Sequence, residues 1–365
     1  MPNLFDPVTL GDLGLANRIL MAPLTRGRSS SDGVPEAIKA TYYAQRASAG
    51  LIISEATGIS RQGLGWPKAP GLWSAAQVEA WKPIVGAVHA AGGRIIAQLW
   101  HMGRLVHPEV SGMANVSASA IAAPGQTRTG SGKHDHVVPH SLAVDEIAGI
   151  VADYAKATSN ALRAGFDGVQ IHAANGYLID QFLRDNSNRR DDDYGGGPEN
   201  RVRFLGEVLD AVTAEAGARR TAIRFSPNGE SQGVDDSDPV ALFTEVARVL
   251  AGRNLAFVEL REQRPDGTFG RSDVPPISPW FRKAYADALV LNGDYTPAEA
   301  KAVVAADGAD AISFGRPFIA NPDLARRIAA GQPLAQDNMK TWYTDGPQGY
   351  IDYPEFAAQP AAAGS

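Results

Sequence analysis

The chain has 365 residues, of which 44% are hydrophobic and 20% charged, and it contains no cysteine. This composition is that of a globular protein, and it excludes disulfides, thiolate catalysis and iron–sulfur clusters. The formal net charge of −6 argues against general binding to nucleic acid or to an anionic membrane, since both require a positive surface. The sequence shows no secretory signal, and no apolar run approaches the ~20 residues of a membrane helix. We therefore expect a soluble, cytoplasmic protein without a nucleic-acid or membrane partner.

Short apolar runs alternate with longer helical patterns along the chain. The predicted strands are Arg18–Leu24, Leu51–Ala56, Arg94–Trp100, Gly168–Ala173, Thr221–Ser226, Ala256–Leu260, Leu289–Asn292 and Ala311–Gly315. The predicted helices are Glu36–Ala49, Ala75–Ala91, Asp145–Ala164, Pro198–Ala216, Pro239–Ala251, Pro279–Ala286, Thr296–Ala306 and Asn321–Ala329. Most strands are continuously apolar, as expected for strands covered on both faces. This strict alternation predicts an α/β fold, the (β/α)8 TIM barrel.

Several segments need separate interpretation. A doubly wound sheet is the alternative architecture, but the first strand is not followed by the glycine-rich phosphate loop such a sheet usually carries. Residues 4–16 predict a hairpin at the barrel bottom, and residues 101–141 form a long excursion after strand 3, which we expect to be a partial lid. The mixed charge run Arg189–Asp193 is typical of a solvated turn. We expect residues 1–354 to form a single domain and residues 355–365 to be a disordered tail.

The strand ends are where a barrel enzyme keeps its reacting groups. Here they carry neutral or cationic hydrogen-bond donors, with no carboxylate pair: Thr25, Gln98, His172, Asn175, Tyr177, Arg224 and Arg316. Such donors suit an electron-rich planar ligand that gains negative charge, and a substrate oxygen that does the same. Phe314-Gly315-Arg316 places a glycine N–H and a guanidinium where barrels commonly hold a phosphate, which predicts a phosphorylated ligand.

Three polar side chains, His172, Asn175 and Tyr177, follow strand 4. A histidine and an asparagine can donate two hydrogen bonds to one carbonyl oxygen, and a tyrosine can hand a proton to a basic carbon. The alternative is a structural histidine beside a turn-forming Asn-Gly pair.

The same strand ends carry six specific motifs. They are Ala22-Pro23-Leu24-Thr25-Arg26, Ser54-Glu55-Ala56-Thr57, Gln98-Leu99-Trp100-His101-Met102-Gly103-Arg104, His172-Ala173-Ala174-Asn175-Gly176-Tyr177-Leu178, Asp193-Tyr194-Gly195-Gly196 with Glu199-Asn200-Arg201, and Phe314-Gly315-Arg316-Pro317. With them the chain, from about Leu4 to about Pro354, resembles the old yellow enzyme family of FMN-dependent ene-reductases, especially the bacterial alkene, N-ethylmaleimide and nitroester reductases.

This resemblance implies a non-covalent FMN over the barrel mouth, so that residues 1–354 would be an FMN-binding domain. Thr25, Gln98 and the Ala56 backbone would hold the flavin ring, and Arg224 would lie beside the ring atoms that become negative on reduction. The phosphate would be bound by Gly293, Gly315 and Arg316. The full set of implied cofactor-binding residues is Pro23, Leu24, Thr25, Ala56, Gln98, His172, Arg224, Asn292, Gly293, Phe314, Gly315 and Arg316.

The resemblance also implies a ping-pong reaction. NADPH or NADH would reduce the flavin and leave, and an activated alkene (an enone, enal, maleimide or nitro compound) would then take its place. His172 and Asn175 would grip the electron-withdrawing group, and Tyr177 would protonate the substrate. Trp66, Trp100 and Tyr343 would be pocket walls, whereas Trp342 is more typical of ordinary packing. Either a monomer or a homodimer is compatible with the family.

Two other functions stay open at this point. A flavin-binding sensor or store would need the cofactor residues but no proton donor such as Tyr177. A metal-dependent barrel hydrolase would use His134, His136 and His140, which have a metal-ligand spacing but lie in a loop instead of at a strand end. We therefore predict no metal site.

Overall fold

Eight parallel strands close into a barrel in the computed structural model, which describes residues 1–268 and 270–356. The strands are β1 (Ile19–Met21), β2 (Leu51–Ile53), β3 (Ile95–Trp100), β4 (Gly168–Ala173), β5 (Thr221–Phe225), β6 (Phe257–Arg261), β7 (Leu289–Asn292) and β8 (Ala311–Phe314). Each strand pairs with the next in the chain, and β8 pairs back with β1. The predicted (β/α)8 TIM barrel is confirmed.

The major helices alternate with these strands. They are α1 (Ile38–Gln45), α2 (Ala75–Ala90), α3 (Val144–Arg163), α4 (Arg203–Ala216), α5 (Pro239–Leu250), α6 (Ser278–Ala284), α7 (Pro297–Ala305) and α8 (Leu324–Ala329). Short helices lie at Leu178–Leu183, Pro198–Arg201 and Pro317–Ala320, so the predicted helix over 198–216 is interrupted at Val202. Capping boxes start α2 at Ser74 and α7 at Thr296, as their sequences favour. No helix in the described part of the chain is both long and apolar enough to cross a membrane.

The bottom of the barrel is closed by the predicted N-terminal hairpin. Its strands, Val8–Leu10 and Leu13–Leu15, are antiparallel, and their leucines pack against buried side chains of the barrel strands. Gly11 at the turn has φ of +60°, and a Cβ there would lie 2.2 Å from the Arg219 carbonyl oxygen. Only glycine fits this close approach. A ligand must therefore enter from the other end of the barrel, where the strands terminate.

The excursion over residues 101–141 is more ordered than its composition suggests. Val116–Ser117 pairs with His140–Ser141, and an exposed antiparallel hairpin joins Gln126–Thr129 to Gly132–Asp135. Of the predicted tail, Glu355 and Phe356 are described, and the Phe356 N–H donates to Asp323 over 2.6 Å. Residues 357–365 lie outside the described part.

Candidate active site

An open cavity lies at the carboxyl ends of the barrel strands, and it encloses about 1370 Å³ with its mouth included. Every predicted site residue lines it: Pro23, Leu24, Thr25, Ala56, Trp66, Gln98, Trp100, His172, Asn175, Tyr177, Arg224, Asn292, Gly293, Phe314, Gly315, Arg316 and Tyr343. These residues come from segments far apart in sequence. The fold therefore brings the predicted set together at one place.

A connected chain of hydrogen bonds forms the cavity floor. Gln98 Nε2 donates to Gln170 Oε1 over 2.8 Å, and Gln170 Nε2 donates to Glu259 Oε2 over 2.8 Å. Arg224 reaches the other Glu259 oxygen with Nη1 at 2.7 Å and Asn292 Oδ1 with Nη2 at 2.9 Å. We call Gln98, Gln170, Arg224, Glu259 and Asn292 the floor network. Its single carboxylate balances the buried charge of Arg224.

Strand pairing explains how the floor network forms. Gln98 on β3 is in register with Gln170 on β4, and Arg224 on β5 is in register with Glu259 on β6. Adjacent residues in register place their side chains on the same face of the sheet, here the barrel interior. Sequence reasoning missed Gln170 and Glu259, although polar residues inside such apolar strands were a signal.

The floor has the donors and acceptors that a flavin ring requires. Arg224 Nε is buried and has no hydrogen-bond partner among the described residues, although Arg224 lines the cavity. The Gln98 NH2 group donates a hydrogen bond to Gln170, so the Gln98 oxygen lies on the other branch of the Gln98 amide. A buried N–H without a partner is costly, so a ligand oxygen or nitrogen there would be stabilising. This donor set fits FMN, which combines carbonyl oxygens with a ring N–H.

Three of the residues that line the cavity fit a phosphate. They are Gly293, Gly315 and Arg316, and the Arg316 guanidinium lies 5.0 Å over the ring of Trp342 while donating to the Thr268 carbonyl oxygen. A Cβ at Gly293 would lie 2.7 Å from the Glu262 carbonyl oxygen, so glycine is required there.

The loop that carries Thr25 is held by a buried carboxylate. Glu55 accepts hydrogen bonds from the Arg26 N–H at 3.1 Å and the Gly27 N–H at 3.3 Å, and it forms an ion pair with buried Lys39. Since Glu55 directly precedes Ala56, the same residue fixes both segments predicted to contact the flavin ring.

His172 is positioned as a neutral donor. Its Nδ1 accepts the Ala174 N–H at 3.4 Å, which assigns the ring proton to Nε2. Burial, together with the charges of Arg224 and Arg261, holds the pKa of His172 well below its ordinary value. The imidazole therefore stays neutral at physiological pH and donates through Nε2.

Asn175 combines both sequence interpretations, because it forms a turn and also faces the cavity. It has φ of +58° and Gly176 has φ of +78°, as Asn-Gly turns allow. A Cβ at Gly176 would lie 2.4 Å from the Ser231 carbonyl oxygen. The turn is what directs Asn175 and Tyr177 to the same side of the cavity as His172.

Tyr177 packs edge-on against two aromatic rings. Its ring centroid is 4.9 Å from that of His172 and 5.0 Å from that of Trp100. Burial raises the pKa of Tyr177 to about 12, an effect that Gln232 and Arg261 partly offset. The phenol thus keeps its proton at neutral pH. We call His172, Asn175 and Tyr177 the mouth triad.

Comparison with known proteins identifies this arrangement. The family described as NADH:flavin oxidoreductase / NADH oxidase matches residues 3–335. The solved structure of an old yellow enzyme homologue from Zymomonas mobilis superposes with a TM-score of 0.95, at 58% identity over 97% of this chain and 99% of that one. The chain belongs to the old yellow enzyme family.

Two further relatives of this old yellow enzyme extend the comparison. Morphinone reductase in complex with tetrahydroNAD superposes with a TM-score of 0.92, at 44% identity, covering 98% of this chain and 99% of that one. The 12-oxophytodienoate reductase 1 of Oryza sativa is 42% identical over 354 residues, covering 96% of this chain and 92% of that protein. The protein is thus an FMN-dependent oxidoreductase that uses a nicotinamide, and the prediction of an enzyme is confirmed.

The walls of the cavity differ from expectation in two places. Trp342 lines the cavity beside Tyr343, so its interpretation as ordinary packing is wrong. None of residues 101–141 lines the cavity, so the predicted lid is wrong too. The loop after β6 takes part in their place, through Glu262, Gln263, Arg264 and Gly270. Sequence reasoning missed this loop, and with it Arg261 at the end of β6, because it treated β6 as an ordinary core strand.

The histidines that suggested a metal site lie away from this cavity. His134 contacts Ser131 at 2.7 Å, and His140 contacts Glu146 at 2.7 Å. Within residues 1–268 and 270–356, no group of three or more histidines, aspartates or glutamates is arranged to hold a metal ion. The hydrolase hypothesis finds no support in the structure.

Proposed function

We propose that this enzyme reduces the C=C bond of activated alkenes, such as enones, enals and maleimides, with NADPH or NADH in a ping-pong reaction. The observation that carries the proposal is the convergence of the mouth triad on one cavity whose floor fits a flavin. Bound FMN supplies the hydride. The protein positions the reactants and stabilises charge, as in cofactor enzymes generally.

The floor residues would hold the cofactor. Gln98, Thr25 and the Ala56 backbone bind the polar edge of the ring, with Pro23, Leu24, Phe314 and His172 packed around it. Arg224, fixed by Glu259 and Asn292, favours the negative charge that the ring gains on reduction. Gly293, Gly315 and Arg316 bind the phosphate.

The mouth triad would carry out the chemistry on the substrate. His172 Nε2 and the Asn175 amide donate hydrogen bonds to the oxygen of the electron-withdrawing group and stabilise the negative charge that develops there. Tyr177 gives its proton to the α-carbon while the β-carbon receives the hydride. A phenol with a pKa of about 12 suits this role, because it stays protonated at neutral pH yet can give its proton to a more basic carbon. Trp66, Trp100 and Tyr343 shape the substrate space.

The wider context follows from the same features. Residues 1–354 would form one FMN-binding domain, and the enzyme would work as a monomer or a homodimer. An enzyme that works with a reduced nicotinamide fits the cytoplasm.

Anaerobic absorbance measurements on the purified holoenzyme test the proposal. Flavin absorbance at about 450 nm should disappear on adding NADPH or NADH and return on adding 2-cyclohexen-1-one. The rate of this absorbance loss, measured with NADPH and with NADH, will also show which nicotinamide reduces the enzyme faster. Reduction by a nicotinamide without reoxidation by any activated alkene would contradict the proposed substrate class.

A further inference from the structure

Arg261 lies inside the active site, although no sequence motif predicted it there. It is the last residue of β6, it is 7% exposed, and it lines the cavity. Glu259 precedes it by two residues on the same strand, so both side chains point into the barrel. Glu259 belongs to the floor, and Arg261 lies one level higher, beside the mouth triad.

One contact of Arg261 is with the mouth triad itself. Its Nη1 donates to Asn175 Oδ1 over 3.2 Å. A guanidinium has only donors, so the amide atom that faces it must be the oxygen. The amide NH2 of Asn175 is then held on the opposite branch of the side chain.

The rest of Asn175 is fixed independently of Arg261. Its N–H donates to Ser226 Oγ at 2.7 Å, and its carbonyl oxygen accepts from Gln232 Nε2 at 2.6 Å. With the backbone fixed, rotation of the amide is the remaining freedom that matters for the substrate. A rotated amide would present its oxygen to a substrate carbonyl oxygen, and two acceptors repel each other.

We propose that Arg261 is a positioning residue that keeps the Asn175 amide turned to donate to the substrate carbonyl. This proposal rests on the function assigned to Asn175 above. Burial and the nearby charge of Arg224 lower the pKa of Arg261 to about 10, so the guanidinium is still charged at neutral pH. The amide oxygen and the amide NH2 of an asparagine have nearly the same shape, so a partner such as Arg261 has to select which of them faces the substrate.

A double-mutant cycle on the holoenzyme tests this role. The dissociation constants of 2-cyclohexen-1-one and of tetrahydroNAD are measured with oxidised enzyme, from the change in flavin absorbance. Four proteins are compared: wild type, Arg261→Met, Asn175→Ala and the double variant. Arg261→Met should weaken binding of both ligands about 5–10-fold, the size expected when the neutral Asn175 amide loses its hydrogen bond to the ligand. In the Asn175→Ala background the same substitution should change either constant less than about twofold.

Further variants separate positioning from other effects. Arg261→Lys keeps a charged donor and should restore most of the affinity lost in Arg261→Met. Arg271→Met, in the same loop but outside the cavity lining, is the matched control and should bind like wild type. Flavin content and the melting temperature show whether each variant is folded. If Arg261→Met is poorly folded, Arg261→Lys and Arg261→Gln are compared in both Asn175 backgrounds.

The outcomes are distinct. A loss in Arg261→Met that persists in full in the Asn175→Ala background would overturn the proposal, because Arg261 would then contact the ligand directly. Unchanged affinity in Arg261→Met would also overturn it. A wild-type enzyme that binds tetrahydroNAD but neither binds nor reduces an enone would contradict the proposed alkene reduction, while the tetrahydroNAD cycle would still test Arg261.

Discussion

The floor network and the mouth triad are built in different ways. The floor network consists of side chains on neighbouring strands that are hydrogen-bonded to one another around a single carboxylate, Glu259. The mouth triad depends on a left-handed turn and on the tautomer of one neutral histidine. The floor is therefore fixed by barrel closure itself, whereas the mouth is fixed by a turn and by contacts with residues at or after the ends of later strands. We expect floor substitutions to reduce both cofactor content and stability strongly, and mouth substitutions to affect both much less.

The largest effect is expected at Glu259. Glu259→Leu would leave Arg224 as a buried charge without its carboxylate, which costs about 3–5 kcal/mol in comparable cases. The free energy of unfolding, from denaturant titration, and the FMN content should both fall sharply. Glu259→Gln, which preserves shape, should lose less. A Glu259→Leu protein as stable and as rich in flavin as wild type would show that the floor network is not needed.

At the mouth, Tyr177→Phe should separate the two half-reactions. Loss of the proton donor should slow reoxidation of the reduced enzyme by an enone about 100-fold or more. Reduction by NADPH should stay within about twofold of wild type, since it needs no phenol proton. Stopped-flow absorbance measures each rate. Equal slowing of both half-reactions would contradict the assigned role.

Removing both carbonyl donors should have a smaller effect. In the double variant His172→Ala with Asn175→Ala, the affinity for 2-cyclohexen-1-one should fall about 10–100-fold, as expected for two lost hydrogen bonds. The FMN content should fall much less than in Glu259→Leu, because only His172 of the two residues also packs around the ring. Equilibrium titration and flavin release by denaturation give the two numbers. Wild-type affinity in this variant would exclude these residues as the carbonyl donors.

The smallest effect is expected from pH. The pKa of His172 lies well below its ordinary value and that of Tyr177 is about 12, so neither group changes charge near neutrality. Affinity of the oxidised enzyme for an enone should vary less than about twofold between about pH 6 and pH 8. Only at lower pH should binding fall, because protonation of His172 Nδ1 breaks its contact with the Ala174 N–H and disturbs the position of the ring. A tenfold loss on acidification, with a midpoint near 6.5, would show that the histidine is not held neutral.

Much of the fold was predictable because the barrel strands are apolar on both faces. The bounds of β4 and β7 match the prediction, and the strand-end rule located the cavity-lining residues. Glu259 and Arg261 were missed because their partners, Arg224 and Asn175, lie 35 and 86 residues away. No local pattern shows which strand will become the neighbour.

Arg190 also has contacts that its local sequence does not predict. Its charged segment was predicted to be a solvated turn, and Arg190 does pair locally with Asp192 at 2.6 Å. Its side chain is nonetheless buried, and its Nη1 donates to the carbonyl oxygens of Ala118 and Leu142. These carbonyls come from the 101–141 excursion and the residues that follow it. That excursion supports the site from outside: Arg104 donates to the Gly233 carbonyl oxygen at 2.9 Å, next to Gln232, which holds the Asn175 turn.

A crystal structure of the FMN-loaded enzyme with a bound, unreactive enone would test the division between floor and mouth most directly. We predict that the flavin ring lies on Gln98 and Arg224. The enone oxygen should lie within hydrogen-bonding distance of His172 Nε2 and Asn175 Nδ2, with the Tyr177 hydroxyl near the α-carbon. A flavin bound away from Arg224, or an enone oxygen that contacts neither His172 nor Asn175, would contradict it.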